Sequence, residues 1–272
     1  MTGSARQLRR AVLFDLGNSS WKVALAEWGT GPQPMLRELG RGPYAEQDPW
    51  APLAGLWAEH GLKGCPIAVS SVASAARATG LRERLSDLDA ADIAWHPDPG
   101  LELCVRNAHT VGLDRLYAAR AAWQRVGARP AIVVDAGTAV TVDAVGPGES
   151  PSGAAFLGGA IAPGPDLLAR ALALGGAQLW AIDPKPGAPA LGKETSEALV
   201  AGVVVGLEGA VLRLAERVAA EAGFEAPVLV LTGGATGFVA QVLRGLGWEL
   251  VEDPLLVLRG LALALGESAD GV

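Results

Sequence analysis

Two short stretches of one design constrain this chain more than anything else in it. Val12-Leu13-Phe14-Asp15-Leu16-Gly17-Asn18-Ser19-Ser20-Trp21-Lys22-Val23-Ala24-Leu25 is an apolar run, an Asp-x-Gly turn and a second apolar run. Val133-Val134-Asp135-Ala136-Gly137-Thr138-Ala139-Val140-Thr141-Val142-Asp143 repeats the design about half a chain later. Apolar runs bounded by turn residues read as strand, tight turn, strand. In each copy a carboxylate stands where the first strand ends, and a glycine lets a ligand approach the backbone closely. The N–H groups of such a turn can bind phosphate, with Lys22 adding charge and Thr138 a hydroxyl. Asp15 could hold Mg²⁺ through water, since Mg²⁺ takes oxygen ligands and phosphates. The plainer reading of either copy alone is a hairpin with glycine in a bend. Two copies at half-chain spacing predict duplicated halves facing each other across a cleft.

Composition narrows the class. A chain of 272 residues with half its residues hydrophobic and 19% charged can bury a sizeable core as one large domain or two ordinary ones. The net charge of −7, with no cluster of Lys or Arg, argues against nucleic acid as the main partner. Cys65 and Cys104 lack metal-ligand spacing, which fits a reducing cytoplasm, though two cysteines could pair. The first apolar run stops at Asp15, too early for a secretory leader. The run from Ala198 ends at Glu208, too short to span a bilayer. The expectation is a cytoplasmic protein with no membrane segment.

Local patterns place the remaining elements. Residues 1–10 are polar and expected to fray. Strands are expected at 11–16, 21–28 and 34–39, with a turn at 29–32 and a Gly/Pro connection over 40–49. A helix from 50 to 60, a buried strand from Ile67 to Val72, a helix at 75–86 and a strand at 93–95 follow. Ser70-Ser71 ends its strand where ligands collect in such sheets. A helix over 111–126 should bury Leu116, Ala119, Ala122 and Trp123. Phe156 to Gly164 reads as a Gly-rich strand and turn, 166–174 as a helix, and 175–192 as a long Gly/Pro loop lining a site or a partner. From Ser196 to Ala222 the apolar residues Leu199, Val203, Leu207, Val211, Leu214 and Val218 recur at helical spacing. Thr195 or Ser196 can cap that helix. Gly202, Gly206 and Gly209 weaken it, so a close neighbour is expected there, either the protein's own sheet or a partner. A strand at 228–231, a helix to Leu246, a strand at 249–251 and a last helix complete the chain.

Gly112-Leu113-Asp114-Arg115 opens the 111–126 helix. A carboxylate there is a favourable dipole contact, or else a general base beside a bound hydroxyl, with Arg115 gripping an anionic substrate. At this point the ordered motifs resemble one family. DxGN[ST]xxK (Asp15 to Lys22), GxDR (Gly112 to Arg115), DxGTAxTxD (Asp135 to Asp143), GGxIxPG (Gly158 to Gly164), GKxT (Gly192 to Thr195) and TGG (Thr232 to Gly234) look like type III pantothenate kinase. That family lies within the actin, sugar-kinase and heat-shock ATPase superfamily.

The resemblance implies an α/β fold of duplicated ribonuclease-H-like sub-domains, with mixed sheets facing across a nucleotide cleft. The division is expected at 1–115 and 116–272. It implies phosphorylation of pantothenate by ATP to 4′-phosphopantothenate, the first step of coenzyme A synthesis. Asp15, Leu16, Gly17, Asn18, Ser19, Ser20, Trp21 and Lys22, with Gly137 and Thr138, would hold ATP with Mg²⁺. Asp114 would be the base. Gly112, Leu113, Asp114, Arg115 and Thr195 would hold pantothenate. Asp135 would bind a monovalent cation, K⁺ or NH₄⁺. A homodimer is implied, giving the glycine face of the long helix a partner. No His or Cys need act as a nucleophile. The departures are on the substrate side: Val105 stands near a common aromatic position, Ala108 replaces a common Pro, Ser19 a common Thr and Glu194 a common Asn. They leave two other readings open, a non-catalytic relative acting as an accessory binding protein and a kinase for another small alcohol.

Overall fold

The computed structural model describes residues 10–29, 33–44, 48–88, 90, 92–176 and 179–270, with side chains up to 266. The expected frayed start and most of the expected turn at 29–32 lie outside these residues. The chain forms two compact units. One comprises Met1–Leu101, His109–Ala121 and Leu255–Val272, and the other Glu102–Ala108 and Ala122–Pro254.

In the first unit, β1 (Arg10–Leu16), β2 (Ser20–Glu27) and β3 (Met35–Pro43) form an antiparallel meander. Helix α1 (Pro52–His60) leads to β4 (Ile67–Ser71), and α2 (Ala75–Asp87) to β5 (Ile93–Trp95). Strands β4 and β5 add in parallel on the β1 side, giving the order β3-β2-β1-β4-β5. Strand β3 runs past the Leu39 expected as its end. Gly40 and Gly42 stay in the sheet because the Trp21 ring lies on them, 3.0 Å from where a Gly42 Cβ would stand. One sheet face carries Val12, Phe14, Leu16, Trp21, Val23, Leu25, Ile67 and Val69, packed under Leu53 and Trp57 of α1 and Leu81 and Leu85 of α2. Leu81 and Leu85 are fully buried. Burial of each contributes roughly 1.5–3 kcal/mol. That outweighs the roughly 0.3–1 kcal/mol cost of a cation, Arg77, in the first turn of α2. The core therefore decides where α2 sits.

Helix α7 (Leu256–Asp270) packs against β1 and β4. It also meets α3 (Leu113–Arg125) so closely that a Cβ on Gly260 would lie 1.9 Å from the Tyr117 carbonyl oxygen. Tyr117 is itself fully buried, its hydroxyl donating to the Pro97 carbonyl at 2.6 Å.

The second unit repeats the plan. Strands β7 (Ala131–Ala136), β8 (Ala139–Pro147) and β9 (Ala154–Pro163) form an antiparallel meander. Strands β10 (Val228–Thr232) and β11 (Leu250–Glu252) add in parallel beside β7. A two-residue β6 (Glu102–Leu103), not expected from sequence, pairs with β9, so the order is β11-β10-β7-β8-β9-β6. Helix α4 (Pro165–Gly175) precedes the long α5 (Thr195–Glu221), and α6 (Ala240–Arg244) is preceded by a 3₁₀ turn rather than forming one helix to Leu246. Among the residues between α4 and α5 that are described, 176 and 179–194, there is no helix or strand.

Helix α5 lays Leu207, Val211, Ala215 and Ala219 on Ile132, Val134, Val140 and Val142. At its end Ala215 and Ala219 are fully buried, while the expected Leu214 and Val218 are half-buried against the same core. By length and composition α5 could cross a membrane, its most apolar window averaging a hydropathy of 1.9. The stretch Ala198–Leu207 alone did not suggest this. The buried stripe is what a core helix presents.

Candidate active site

In the first unit the Asp15 motif folds as expected. Asp15 and Leu16 close β1, Gly17-Asn18-Ser19 form the turn, and Ser20, Trp21 and Lys22 open β2. The Gly17 N–H donates to the Ser20 carbonyl at 3.0 Å. Alternation then sorts the side chains. Leu16 pairs with Trp21, and both side chains are buried in the core under α1 and α2, with the Leu16 carbonyl accepting the Val72 N–H at 2.9 Å. Asp15 pairs with Lys22 on one side and Ser70 on the other, so these three lie on the opposite sheet face. Asn18, Ser19 and Ser20 are exposed.

Asp114 is the second residue of α3. Its Oδ1 accepts the Arg115 N–H at 2.8 Å, and burial pushes the carboxyl above the usual carboxylate range, against the lowering effect of Arg115 and the helix amides. Gly112 lies between Asp114 and the loop after β4: a Cβ there would stand 2.5 Å from Asp114 Oδ1 and 3.8 Å from Val72 Cγ1. The GxDR glycine is therefore a spatial requirement of the carboxylate two residues on.

Two residues that the sequence did not single out join this turn. The Tyr44 N–H donates to the Ser19 carbonyl at 3.2 Å, and an Arg77 Nη1 donates to the Asn18 carbonyl. Nothing in the pattern of α2 set Arg77 apart from Arg82 and Arg84, and Tyr44 fell in an expected connection.

In the second unit three motifs converge. Asp135 lies near the end of β7, followed by the Gly137-Thr138 turn, where Gly137 N–H donates to Ala139 O at 3.0 Å. Gly164 closes on this turn, donating to the Thr138 carbonyl at 3.0 Å, and a Cβ on it would lie 2.2 Å from Gly137 O. Gly233, at φ +101°, closes from the other side: a Cβ there would lie 2.2 Å from Ala136 O and 2.6 Å from Asp135 Oδ1. Thr232, Asp135, Thr141 and Ile161 are register neighbours, a row across the sheet face away from α5. The oxygens of Asp135 and Ala136 around the Gly233 cradle are the donor type that hard cations take. Among the described residues no three His, Cys, Asp or Glu gather as a metal site.

Thr195 is the exposed first residue of α5. The cap is Glu194 rather than Thr195 or Ser196, and Glu197 reaches back to accept the Lys193 N–H at 2.6 Å. Gly192 packs against that first turn, its would-be Cβ 2.4 Å from the Ala198 nitrogen. A cavity of about 280 Å³ opens beside it, lined by Pro189, Leu191, Ser196 and Val200 among others. Gly202, Gly206 and Gly209 are exposed, with nothing within 4 Å of an added Cβ, so the expected neighbour does not come from the chain's own sheet.

The profile of the type III pantothenate kinase family matches residues 11–217. A type III pantothenate kinase of Streptomyces griseus is 36% identical over 220 residues, 78% of each chain. One from Thermomicrobium roseum is 36% identical over 179 residues, covering 65% of this chain and 66% of its own length, just under two thirds. Among solved structures, ADP-bound MreB5 of Spiroplasma citri superposes with a TM-score of 0.50 at 10% identity, over 98% of this chain and all of its own, a likeness of fold. With its family profile matched over most of the chain, this chain belongs to the type III pantothenate kinase family.

Proposed function

We propose that this chain transfers the terminal phosphoryl group of ATP to the primary hydroxyl of pantothenate, forming 4′-phosphopantothenate and ADP and opening coenzyme A synthesis. The observation that carries this reading is Asp114. Its carboxylate is held at a helix start by Arg115 N–H, and burial raises its pKa above that of an ordinary aspartate, the direction that makes it a stronger base. Asp114 accepts the hydroxyl proton as the oxygen attacks phosphorus, and the β-phosphate oxygen of ADP leaves with the bond electrons. Arg115 pairs with the pantothenate carboxylate, and Gly112, Leu113 and Thr195 complete the acceptor site.

Phosphoryl transfer needs positioning and charge neutralisation more than covalent chemistry. The Asp15–Lys22 segment with Gly137 and Thr138 holds the ATP phosphates through turn N–H groups, the Lys22 ammonium and the Thr138 hydroxyl. A kinase family implies ATP with a divalent cation. We assign this to Mg²⁺ beside Asp15, where it would neutralise phosphate charge. Asp135 would hold K⁺ or NH₄⁺. The oxygens beside Gly233, from the Asp135 carboxylate and the Ala136 carbonyl, suit a hard monovalent ion better than a transition metal. The exposed Gly202, Gly206 and Gly209, with Leu174 of the adjacent α4 exposed at 89%, support a homodimer in which α5 meets a second copy. A cytoplasmic location belongs to the same reading.

The test is ADP release from Mg·ATP by the purified chain with pantothenate as acceptor, with and without K⁺. Pantothenate-dependent turnover that rises with K⁺ is expected. Turnover with another small alcohol and none with pantothenate would overturn the substrate assignment.

A further inference from the structure

We infer that Arg77, seated on the Tyr44 ring, is a positioning residue that aims the Gly17–Ser20 turn at nucleotide phosphate. The inference rests on the assignment of that turn to ATP made above.

Each carbonyl on the outer side of the turn is taken. Arg77 Nη1 donates to the Asn18 carbonyl, and the Tyr44 N–H donates to the Ser19 carbonyl at 3.2 Å. In a planar trans peptide the C=O and the following N–H point in opposite directions. Drawing the Asn18 and Ser19 carbonyls toward Arg77 and Tyr44 therefore sends the Ser19 and Ser20 N–H groups the other way. Two adjacent N–H groups with one direction are the donor pattern that binds phosphate oxygens. Without the clamp, either peptide could flip and offer a carbonyl oxygen to the anion instead.

The clamp is buttressed from the core. The Arg77 guanidinium carbon lies 4.1 Å from the Tyr44 ring centroid. The Tyr44 ring meets Trp50 edge-on at 5.8 Å between centroids, and Trp50 meets Trp21 at 5.9 Å. Trp50 in turn lies against Gly80 of α2, its Nε1 3.0 Å from where a Cβ would stand. The ring that carries Arg77 and the helix that bears it are thus set by one aromatic cluster. Burial pushes the Tyr44 phenol up, so the platform stays neutral, and its hydroxyl makes no hydrogen bond among the described residues. The ring is therefore its working part. Arg77 stands in the first turn of α2, where the helix dipole disfavours a cation. A residue chosen for helix stability alone would not be Arg. At this place the same charge favours a bound polyanion.

The test uses the full chain, Mg·ATP calorimetry and steady-state kinetics. Arg77→Ala is expected to weaken ATP binding about tenfold, as loss of a charged hydrogen bond implies. The KM for ATP should rise in step, while kcat at saturating ATP and the KM for pantothenate stay within about twofold. Arg77→Lys, which keeps a donor and the charge, should recover part of the loss. Tyr44→Phe, which keeps the ring, should retain affinity that Tyr44→Leu loses. Without nucleotide, amide hydrogen exchange at Tyr44, whose N–H donates to the Ser19 carbonyl, should quicken in Arg77→Ala as the turn loosens. Wild-type ATP affinity in Arg77→Ala overturns the clamp while leaving the turn's assignment standing. Equal weakening toward ATP and pantothenate overturns it too, since a structural role acts on both. Failure of the wild-type chain to bind ATP overturns clamp and assignment together.

Discussion

Gly112→Ala is the sharpest probe of the proposed base because its effect can be worked from geometry. The φ of Gly112 lies outside the left-handed region, so alanine can adopt this backbone without strain. The new Cβ would stand 2.5 Å from Asp114 Oδ1, where ordinary contact begins at about 3.4 Å. One of the two must give by roughly 0.9 Å, and the carboxylate, at the end of a rotatable side chain, is the softer partner. Stability should therefore change by no more than about 1 kcal/mol. The 2.8 Å bond from Arg115 N–H cannot survive such a shift at hydrogen-bond length. A misplacement of about 1 Å in a reacting group can lower the rate about 10²-fold. The expected result is a fall in kcat of about 10- to 100-fold in the coupled ADP-release assay, with the KM for ATP and the melting temperature nearly unchanged. Gly55→Ala in α1, where an added Cβ meets nothing within 4 Å, is the control and should leave turnover intact. A Gly112→Ala kcat within twofold of wild type would show that the present position of Asp114 is not the catalytic one.

Three more expectations complete the set. Asp114→Asn should lower kcat about 10²–10⁴-fold while sparing ATP binding; a structural cap would tolerate Asn. Because burial raises the folded-state pKa, the charge on Asp114 opposes folding at neutral pH and is relieved as pH falls through the raised value toward the unfolded one. Asp114→Asn should thus melt higher than wild type at neutral pH, with the gain fading in acid, and the acid limb of the wild-type kcat profile should lie above that of an ordinary aspartate. Equal melting at neutral pH, or an acid limb near 4, would contradict this. Asp135→Ala should weaken ATP binding and abolish activation by K⁺ or NH₄⁺; unchanged K⁺ dependence refutes its cation role. Light scattering at micromolar concentration should give a dimer mass, and Gly206→Glu, whose Cβ would have none of the described residues within 4 Å, should give a folded monomer; a wild-type monomer overturns the interface.

Much of the architecture was legible because it is written locally. The Asp15 and Asp135 hairpins announce themselves by strand–turn–strand patterning, since alternation and turn chemistry need only neighbours along the chain. The same holds for the 27-residue α5, whose apolar period is its own. The motif glycines could be named in sequence, but not why each is glycine. That came from distances: Gly112 makes room for a carboxylate, Gly233 for Asp135, and Gly42 for the Trp21 ring.

What only the tertiary structure decided depends on contacts between residues far apart in sequence. Strand β3 continues through two glycines because a tryptophan from β2 covers them, and β6 exists only because β9 offers it an edge. Helix α7, last in the chain, belongs with the first unit because its apolar face fits β1 and β4. The link from Arg77 to Asn18 spans 59 positions and leaves no local trace. The sequence determined which segments could be strands, turns and helix starts, and which side chains carry chemistry. Folding decided which of these meet, because packing of a shared core sets distances that no local pattern encodes.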